Sequence, residues 1–446
     1  MDFDFDTITA PATALGTSGV AVIRISGAKT FEIVNKIFKG KIEIGKICYG
    51  KIVDNFNNNQ TLDEVILLPF KTPHSFTGED VIEIQCHGGL KVIDGILNLI
   101  LKNGARIAQR GEFTKRAFLN KKMDLSQAEA VLDIIHSKTS VFAQKNADNL
   151  SGALSKHISG IRKELLDLMS KIVAGIDFPE DVKEPKYEEL EEVVKISLEK
   201  IDEILKSAKS SNLMRQGLKV AIAGKPNVGK SSLFNRLLSQ NRAIVTEIAG
   251  TTRDIIQESL DMDGIPVTLI DTAGIREDED IDKVEKIGID YSKKAVENAE
   301  LILFMYDSST PWDETDSVIY DMVKCKPFLK IANKSDIGTY FDSDSIKIST
   351  KTGENIAELR ALISKKVIGE NEIENIDYVT NKRQQECLLL AKKHLETALD
   401  AIMINELQDL ISIDIKSALL ALDEISGEVI TDEILNNIFE NFCIGK

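Results

Sequence analysis

The chain has 446 residues, a formal net charge of −16, and 43% hydrophobic and 28% charged residues. That length favours about three domains, and the composition is that of a globular protein with ample core. The acidic balance argues against a broad nonspecific nucleic-acid binder, whose affinity would come from neutralising phosphates.

No apolar run approaches the ~18 residues of a membrane-spanning helix. The longest, "LILFMY" from Leu301 to Tyr306, has the length of a buried strand. The start "MDFDFD" is acidic, so neither a secretory signal nor an Arg-rich transit peptide fits. Five cysteines (Cys48, Cys86, Cys325, Cys387, Cys443) are scattered without a C-x-x-C pair. This pattern points to free thiols in a reducing compartment, and the cytoplasm is the expected location.

Residues 1–120 mix short β-like runs ("GVAVIRISG", "EVILLPF", "DVIEIQCHGG") with one apolar helix pattern, "LKVIDGILNLILK". They read as an α/β domain. Residues 121–214 turn helical, with Leu150, Leu154, Ile158, Ile161, Leu165, Leu168 and Ile172 forming one amphipathic stripe. "DFPEDVKEP" breaks that stripe with two prolines, and "YEELEEVVKISLEKIDEILKSA" resumes it, acidic at its start and lysine-bearing at its end as the helix dipole favours.

Across residues 215–372, "KVAIAG", "IPVTLIDT", "LILFMYD", "PFLKIANK" and "IKIST" alternate with helical patterns, the signature of a mostly parallel, doubly wound sheet. Residues 373–446 return to helix. The simplest architecture is therefore an α/β domain inserted into one helical domain built from both flanks.

The chemistry concentrates in the inserted domain. "GKPNVGKS", Gly224 to Ser231, follows a predicted strand and opens a helical pattern. Its glycines let backbone N–H groups approach phosphates, and the helix N-terminus adds a favourable dipole. Lys230 would contact the β- and γ-phosphates and Ser231 would ligate Mg²⁺, with Asn227, Val228, Gly229 and Ser232 completing the cradle.

"DTAG" (Asp271, Thr272, Ala273, Gly274) ends the next strand, with Asp271 beside the metal and the Gly274 N–H near the γ-phosphate. "NKSD" (Asn333 to Asp336, including Lys334) ends a later one. Asp336 can accept from the guanine N1–H and exocyclic amine, a donor pair adenine lacks, so the pocket selects GTP. "STKTG" supplies Ser349, Thr350 and Lys351 at the base edge. Three motifs in order, each closing a strand, make the domain a GTPase. Ile275 stands where Ras-like enzymes carry a water-orienting glutamine, so another group must do that work.

Together with "DTITAPAT…GVAVIRISG", "SFTGEDVIEIQCHGG", "RGEFTKRAFLNKKMDLSQAEAVLDII", "VTEIAGTTRD" and the terminal "FCIGK", these motifs make the whole chain resemble the tRNA modification GTPase family MnmE, also called TrmE. "ATALGTSG" departs from the family, which there usually carries a second proline and an arginine. The resemblance implies a tetrahydrofolate-binding and dimerisation domain, a helical domain interrupted by the GTPase domain, and a homodimer. It also implies a joint reaction with the FAD-dependent partner MnmG, in which an aminomethyl or carboxymethylaminomethyl group is added to the wobble uridine of certain tRNAs. A 5-formyl- or methylene-tetrahydrofolate supplies the one-carbon unit, and FAD with NADH carries the redox chemistry.

The resemblance further implies K⁺-driven dimerisation across the nucleotide. Asn227 matches the family's K⁺-coordinating asparagine, and carbonyls near Thr246, Ile248 and Thr251 complete the shell. Thr252 joins Ser231 on Mg²⁺, with Glu247, Ala249 and Gly250 in the same nucleotide-binding segment. Glu285 matches the catalytic glutamate, although alone it would read as a solvated helix residue. Arg24, Glu83, Lys122 and Lys446 match the folate site, whose pterin amine edge suits Glu83 and whose glutamate tail suits the cations. His87 reads as an acid or base or, equally, as a packed turn residue.

The terminal "FCIGK" admits three readings: a lipidation box, a frayed tail, or an arm completing a distant site. Gly445 and Lys446 count against prenylation, while Phe442 and Ile444 would anchor an arm that brings Lys446 to the folate pocket. Cys443 is given a supporting role only. A ribosome-assembly GTPase switch and a mechanical, self-assembling GTPase are the competing functions. Each shares the nucleotide motifs, and neither accounts for residues 1–120.

Overall fold

The computed structural model describes residues 6–240, 257–262, 264–271, 298–368 and 378–446. The chain divides into two compact units, one of Met1–Leu132, Ser155–Arg162 and Leu419–Lys446, the other of Asp133–Leu154 and Lys163–Ala418.

The first unit is built on a seven-stranded sheet in the order β3-β4-β5-β6-β2-β1-β7. Its strands are β1 (Ile8–Pro11), β2 (Ser18–Ser26), β3 (Phe38–Lys39), β4 (Cys48–Asp54), β5 (Gln60–Phe70), β6 (Val81–Gly88) and β7 (Arg106–Ile107). All neighbours are antiparallel except β1 and β7. Side chains alternate across a strand. Ala21, Ile23 and Ile25 of β2 and Ile82, Ile84 and Cys86 of β6 therefore share one apolar core with the helices Thr30–Ile37 and Leu90–Lys102. Arg24 and Glu83, which are register partners, fall on the opposite face.

The second unit holds a six-stranded sheet ordered β13-β12-β11-β8-β10-β9. Here β8 is Leu218–Ala223, β9 Gln257–Met262, β10 Ile265–Asp271, β11 Leu301–Asp307, β12 Phe328–Asn333 and β13 Ile346–Lys347. Only the β9–β10 pair is antiparallel. Val220, Ile222, Leu303 and Met305 face one core, and Ala221, Ala223, Ile302 and Phe304 face another. Apolar residues on both faces are what a doubly wound parallel sheet requires.

The predicted amphipathic stripe is one helix, Ala153–Asp177, whose Leu154, Ile158, Ile161, Leu165, Leu168 and Ile172 are all buried. Leu150 does not belong to it. Leu150 ends the preceding helix Ser140–Leu150, and Gly152 at φ 91° breaks the two apart. The proline-bearing stretch separates this helix from Tyr187–Lys206, which packs on Lys382–Met403. The latter starts on a capping box between Asn381 and Gln384. Among the described residues no helix is long and apolar enough to cross a membrane.

Candidate nucleotide and tail sites

The loop expected to cradle phosphates leaves β8 at Gly224, where a Cβ would lie 2.1 Å from the Met305 carbonyl oxygen. Asn227 (φ 62°) and Gly229 (φ 100°) turn the chain left-handed before the helix Lys230–Gln240 begins. At Gly229 a Cβ would meet the Asn333 amide nitrogen at 2.3 Å, so only glycine allows that approach. Lys230 is buried and its ammonium donates to the Gly224 and Lys225 carbonyls at 2.9 and 2.7 Å. Val228 is buried, whereas Asn227, Ser231 and Ser232 are exposed at the loop and the helix start.

The residues expected to read the base stand at and just beyond two strand termini, those of β12 and β13. Asn333, fully buried at the end of β12, donates to the Val228 carbonyl at 2.7 Å and to Thr350 Oγ1 at 3.2 Å. Its carbonyl accepts the Thr350 N–H at 3.0 Å. Asp336 is exposed, and one of its oxygens accepts from the buried Ser349 hydroxyl at 2.8 Å. The Lys351 carbonyl accepts from Arg236 at 3.0 Å. Lys334 pairs with Asp307. Burial raises the Asp307 carboxyl, but the Lys334 ammonium and the Ser309 hydroxyl and amide outweigh that and hold it below its ordinary range.

Asp271 ends β10. Thr246, Glu247, Ile248, Ala249, Gly250, Thr251, Thr252, Thr272, Ala273, Gly274, Ile275 and Glu285 lie outside the described residues. Sequence reading missed Lys225, whose ammonium pairs with Asp313 and Asp316 at 2.7 and 2.6 Å and ties the loop to the helix Glu314–Val323. No motif announces such a pair, because its acidic members lie far along the chain.

In the first unit, Arg24 donates to Glu83 Oε1 from Nε and Nη2 at 2.9 and 2.7 Å. Its guanidinium lies 5.1 Å from the Phe76 ring centroid and 5.5 Å from that of Phe113. Arg24 Nη1 is buried with no hydrogen-bond partner among the described residues, and such a donor suits an anionic or carbonyl ligand.

Lys446 feels the charges of this pair. Burial of its ammonium and then the Arg24 charge lower its pKa, while Glu83 opposes them. Lys122 donates to the Pro73 carbonyl at 3.0 Å.

The tail is bridged to the start of the helix Glu112–Leu119. Ile444 pairs with Arg110, and the Cys443 carbonyl accepts the Gly111 N–H at 3.4 Å. Phe442 is 1% exposed and packs on Phe439, with ring centroids 5.2 Å apart. Ile444, expected as a second anchor, is 53% exposed. The Arg110 bridge holds it by its backbone, which leaves the side chain outside the core. Gly445 (φ 95°) passes so close to Pro11 that a Cβ would lie 2.0 Å from its carbonyl oxygen. His87 is on the surface at the end of β6, its Nδ1 2.7 Å from Asp63. Cys443 is exposed.

The family model for the MnmE helical domain matches residues 125–443, and that for the GTP-binding protein TrmE N-terminus matches residues 7–122. The chain is 45% identical over 459 residues to the tRNA modification GTPase MnmE of Caldicellulosiruptor saccharolyticus, covering 99% of this chain and 100% of that one. To the protein of the same name from Thermoanaerobacter pseudethanolicus it is 43% identical over 465 residues, with the same coverage. Among solved structures, the G domain of the T. maritima FeoB iron transporter is 28% identical, spanning 33% of this chain and 98% of that one at a TM-score of 0.26. Domain models and full-length relatives agree, and the chain belongs to the MnmE family of tRNA modification GTPases.

Proposed function

We propose that this GTP hydrolase of tRNA modification is a K⁺-stimulated homodimer that acts with the FAD-dependent partner MnmG in the cytoplasm. The pair installs an aminomethyl or carboxymethylaminomethyl group on the wobble uridine of certain tRNAs. In this reading residues 1–120 bind the folate and dimerise, 121–214 and 373–446 form the helical domain, and 215–372 hydrolyse GTP. Arg24, Glu83, Lys122 and Lys446 bind a tetrahydrofolate derivative, either 5-formyl or methylene, that supplies the one-carbon unit, while FAD and NADH act through the partner.

The observation that supports the folate reading is the Arg24–Glu83 pair, one of its guanidinium nitrogens buried without a partner, whose charges are felt by the partly buried Lys446 ammonium. Both Arg24 donors fall on Oε1 of Glu83, which leaves Oε2 for a ligand's amine edge. The unpartnered Arg24 Nη1 suits a ligand oxygen.

Ser231 and Thr252 would hold Mg²⁺, and Asn227 with the carbonyls of Thr246, Ile248 and Thr251 would hold K⁺, the charge that an arginine finger supplies elsewhere. Glu285 would position the water, a role that Ile275 cannot fill. An acidic chain fits a complex in which the partner carries much of the tRNA contact.

One paired assay tests both halves. GTP hydrolysis should run faster in K⁺ than in Na⁺, and a chain lacking Phe442–Lys446 should keep that stimulation while losing wobble-uridine modification. Equal rates in the two salts would refute the K⁺ reading. Normal modification by the truncated chain would refute the role of the tail.

A further inference from the structure

Strand β12 carries a charge where its neighbours carry core residues. Lys330 lies mid-strand in "FLKIAN", opposite Phe304 of β11, and is only 9% exposed. Its ammonium sits 4.7 Å from the Trp312 ring centroid and 5.2 Å from that of Tyr320. It pairs with Asp342 and, at 3.6 Å, approaches Asp344. Removing an ammonium from water is costly, and a leucine or methionine would fill this space without that penalty. A local breach of the hydrophobic pattern marks a place where something other than packing is being specified.

The partner's location says what that is. Asp342 and Asp344 belong to the segment 334–345, which leaves the end of β12 and returns to β13. Lys330 thus fastens this segment to the strand it has just left. Two further ties act in the same sense. The Tyr306 hydroxyl donates to Ser345 Oγ at 3.0 Å and accepts the Asp342 N–H at 3.1 Å. The Ser308 carbonyl accepts the Thr339 and Tyr340 N–H groups, both at 2.9 Å. Asp336 stands inside the segment so held.

We propose that Lys330 is a positioning residue for guanine recognition, its ion pair with Asp342 preorganising the segment that presents Asp336. The inference rests on reading Asp336 as the base-binding carboxylate. An unfastened segment must be ordered when the nucleotide binds, and that ordering draws on the same binding energy that selects the base. Lys330 itself touches no nucleotide and acts through Asp336.

The test compares the affinities of the full-length chain for GTP and for inosine triphosphate, which lacks the exocyclic amine. The variants are Lys330→Met, Asp342→Asn and Asp336→Asn. Asp342 is exposed, so its variant does not depend on repacking a core. Loosening Asp336 weakens two hydrogen bonds to guanine but one to hypoxanthine, so the GTP preference should fall about fivefold in both Lys330→Met and Asp342→Asn. A ratio of affinities is insensitive to the folded fraction, which a merely structural role would alter. If both variants keep the wild-type ratio while Asp336→Asn gains xanthosine triphosphate, Lys330 has no positioning role. If Asp336→Asn gains nothing, the reading of Asp336 falls and this inference with it.

Discussion

At the first turn of the helix Glu112–Leu119, one carboxylate answers two guanidinium groups. Glu112 accepts from Arg106 at 2.5 and 2.8 Å, from Arg116 at 2.9 Å and from the Gln109 N–H at 2.8 Å. Burial raises its pKa, but Arg106, the Gln109 amide and Arg116 together overturn that and hold the carboxyl at about 2, against an ordinary 4.5. A depressed folded-state pKa stabilises fully above the unfolded value and less as pH falls towards the folded one. The contribution is therefore complete above about pH 4.5 and drains away as pH falls to about 2. Replacing Glu112 by Gln should cost about 3 kcal/mol at neutral pH, with the gap to wild type closing by about pH 2. Hydrogen exchange of the β1 and β2 amides reads this directly. An undiminished gap at the acid end would show that the loss comes from packing instead of charge.

The terminal arm divides its work unevenly among its side chains. Phe442 is fully buried, so Phe442→Ala should cost about 3–5 kcal/mol locally and release the arm. Ile444→Ala, at a half-exposed side chain, should cost less than about 0.5 kcal/mol. Gly445→Ala forces a side chain into the Pro11 carbonyl at a left-handed φ, so tRNA modification should fall at least about tenfold while GTP turnover holds. Quantitative tRNA nucleoside analysis measures that loss, and a modified-nucleoside level equal to wild type would remove the arm from the reaction.

The same element shows what a sequence can and cannot carry. Burial of Phe442 and the tight turn at Gly445 follow from residue type, since a large apolar ring seeks a core and a glycine permits close approach. The exposure of Ile444 does not follow, because a backbone bridge to Arg110 sets it. The turn from β8 into the helix Lys230–Gln240 and the end of β12 at Asn333 are legible for the opposite reason: their motifs sit in contiguous residues. Lys330 and Lys225 were not, since their partners become neighbours only once the chain has folded. The helix break at Gly152 was hidden too, because apolar spacing continues across it.

At the scale of the molecule, each of the two units presents one thiol to solvent and buries the rest. Cys325 and Cys443 are exposed, while Cys48, Cys86 and Cys387 are buried. Burial also pushes the Cys86 thiol up to about 11. A neutral maleimide at pH 7 should therefore label two sites in the native chain, one in each unit, and the remaining three only in denaturant. Mass mapping of the adducts checks this, and rapid native labelling of Cys86 would contradict its burial.

The Asn333 carboxamide has a consequence for how ligands can be taken apart. It hydrogen-bonds the loop expected to hold phosphates, through Val228, and the turn expected to border the base, through Thr350, with a single rigid amide. Two half-sites joined in this way share one reorganisation, and whichever fragment binds first spares the other its part of that cost. Guanosine and pyrophosphate, offered separately, should then bind with positive linkage, each tightening the other by the same factor, about fivefold or more. Calorimetric titration of each fragment with and without the other would measure that factor, and in Asn333→Ala it should shrink towards one, leaving a nucleotide that is held at both ends but no longer as a unit.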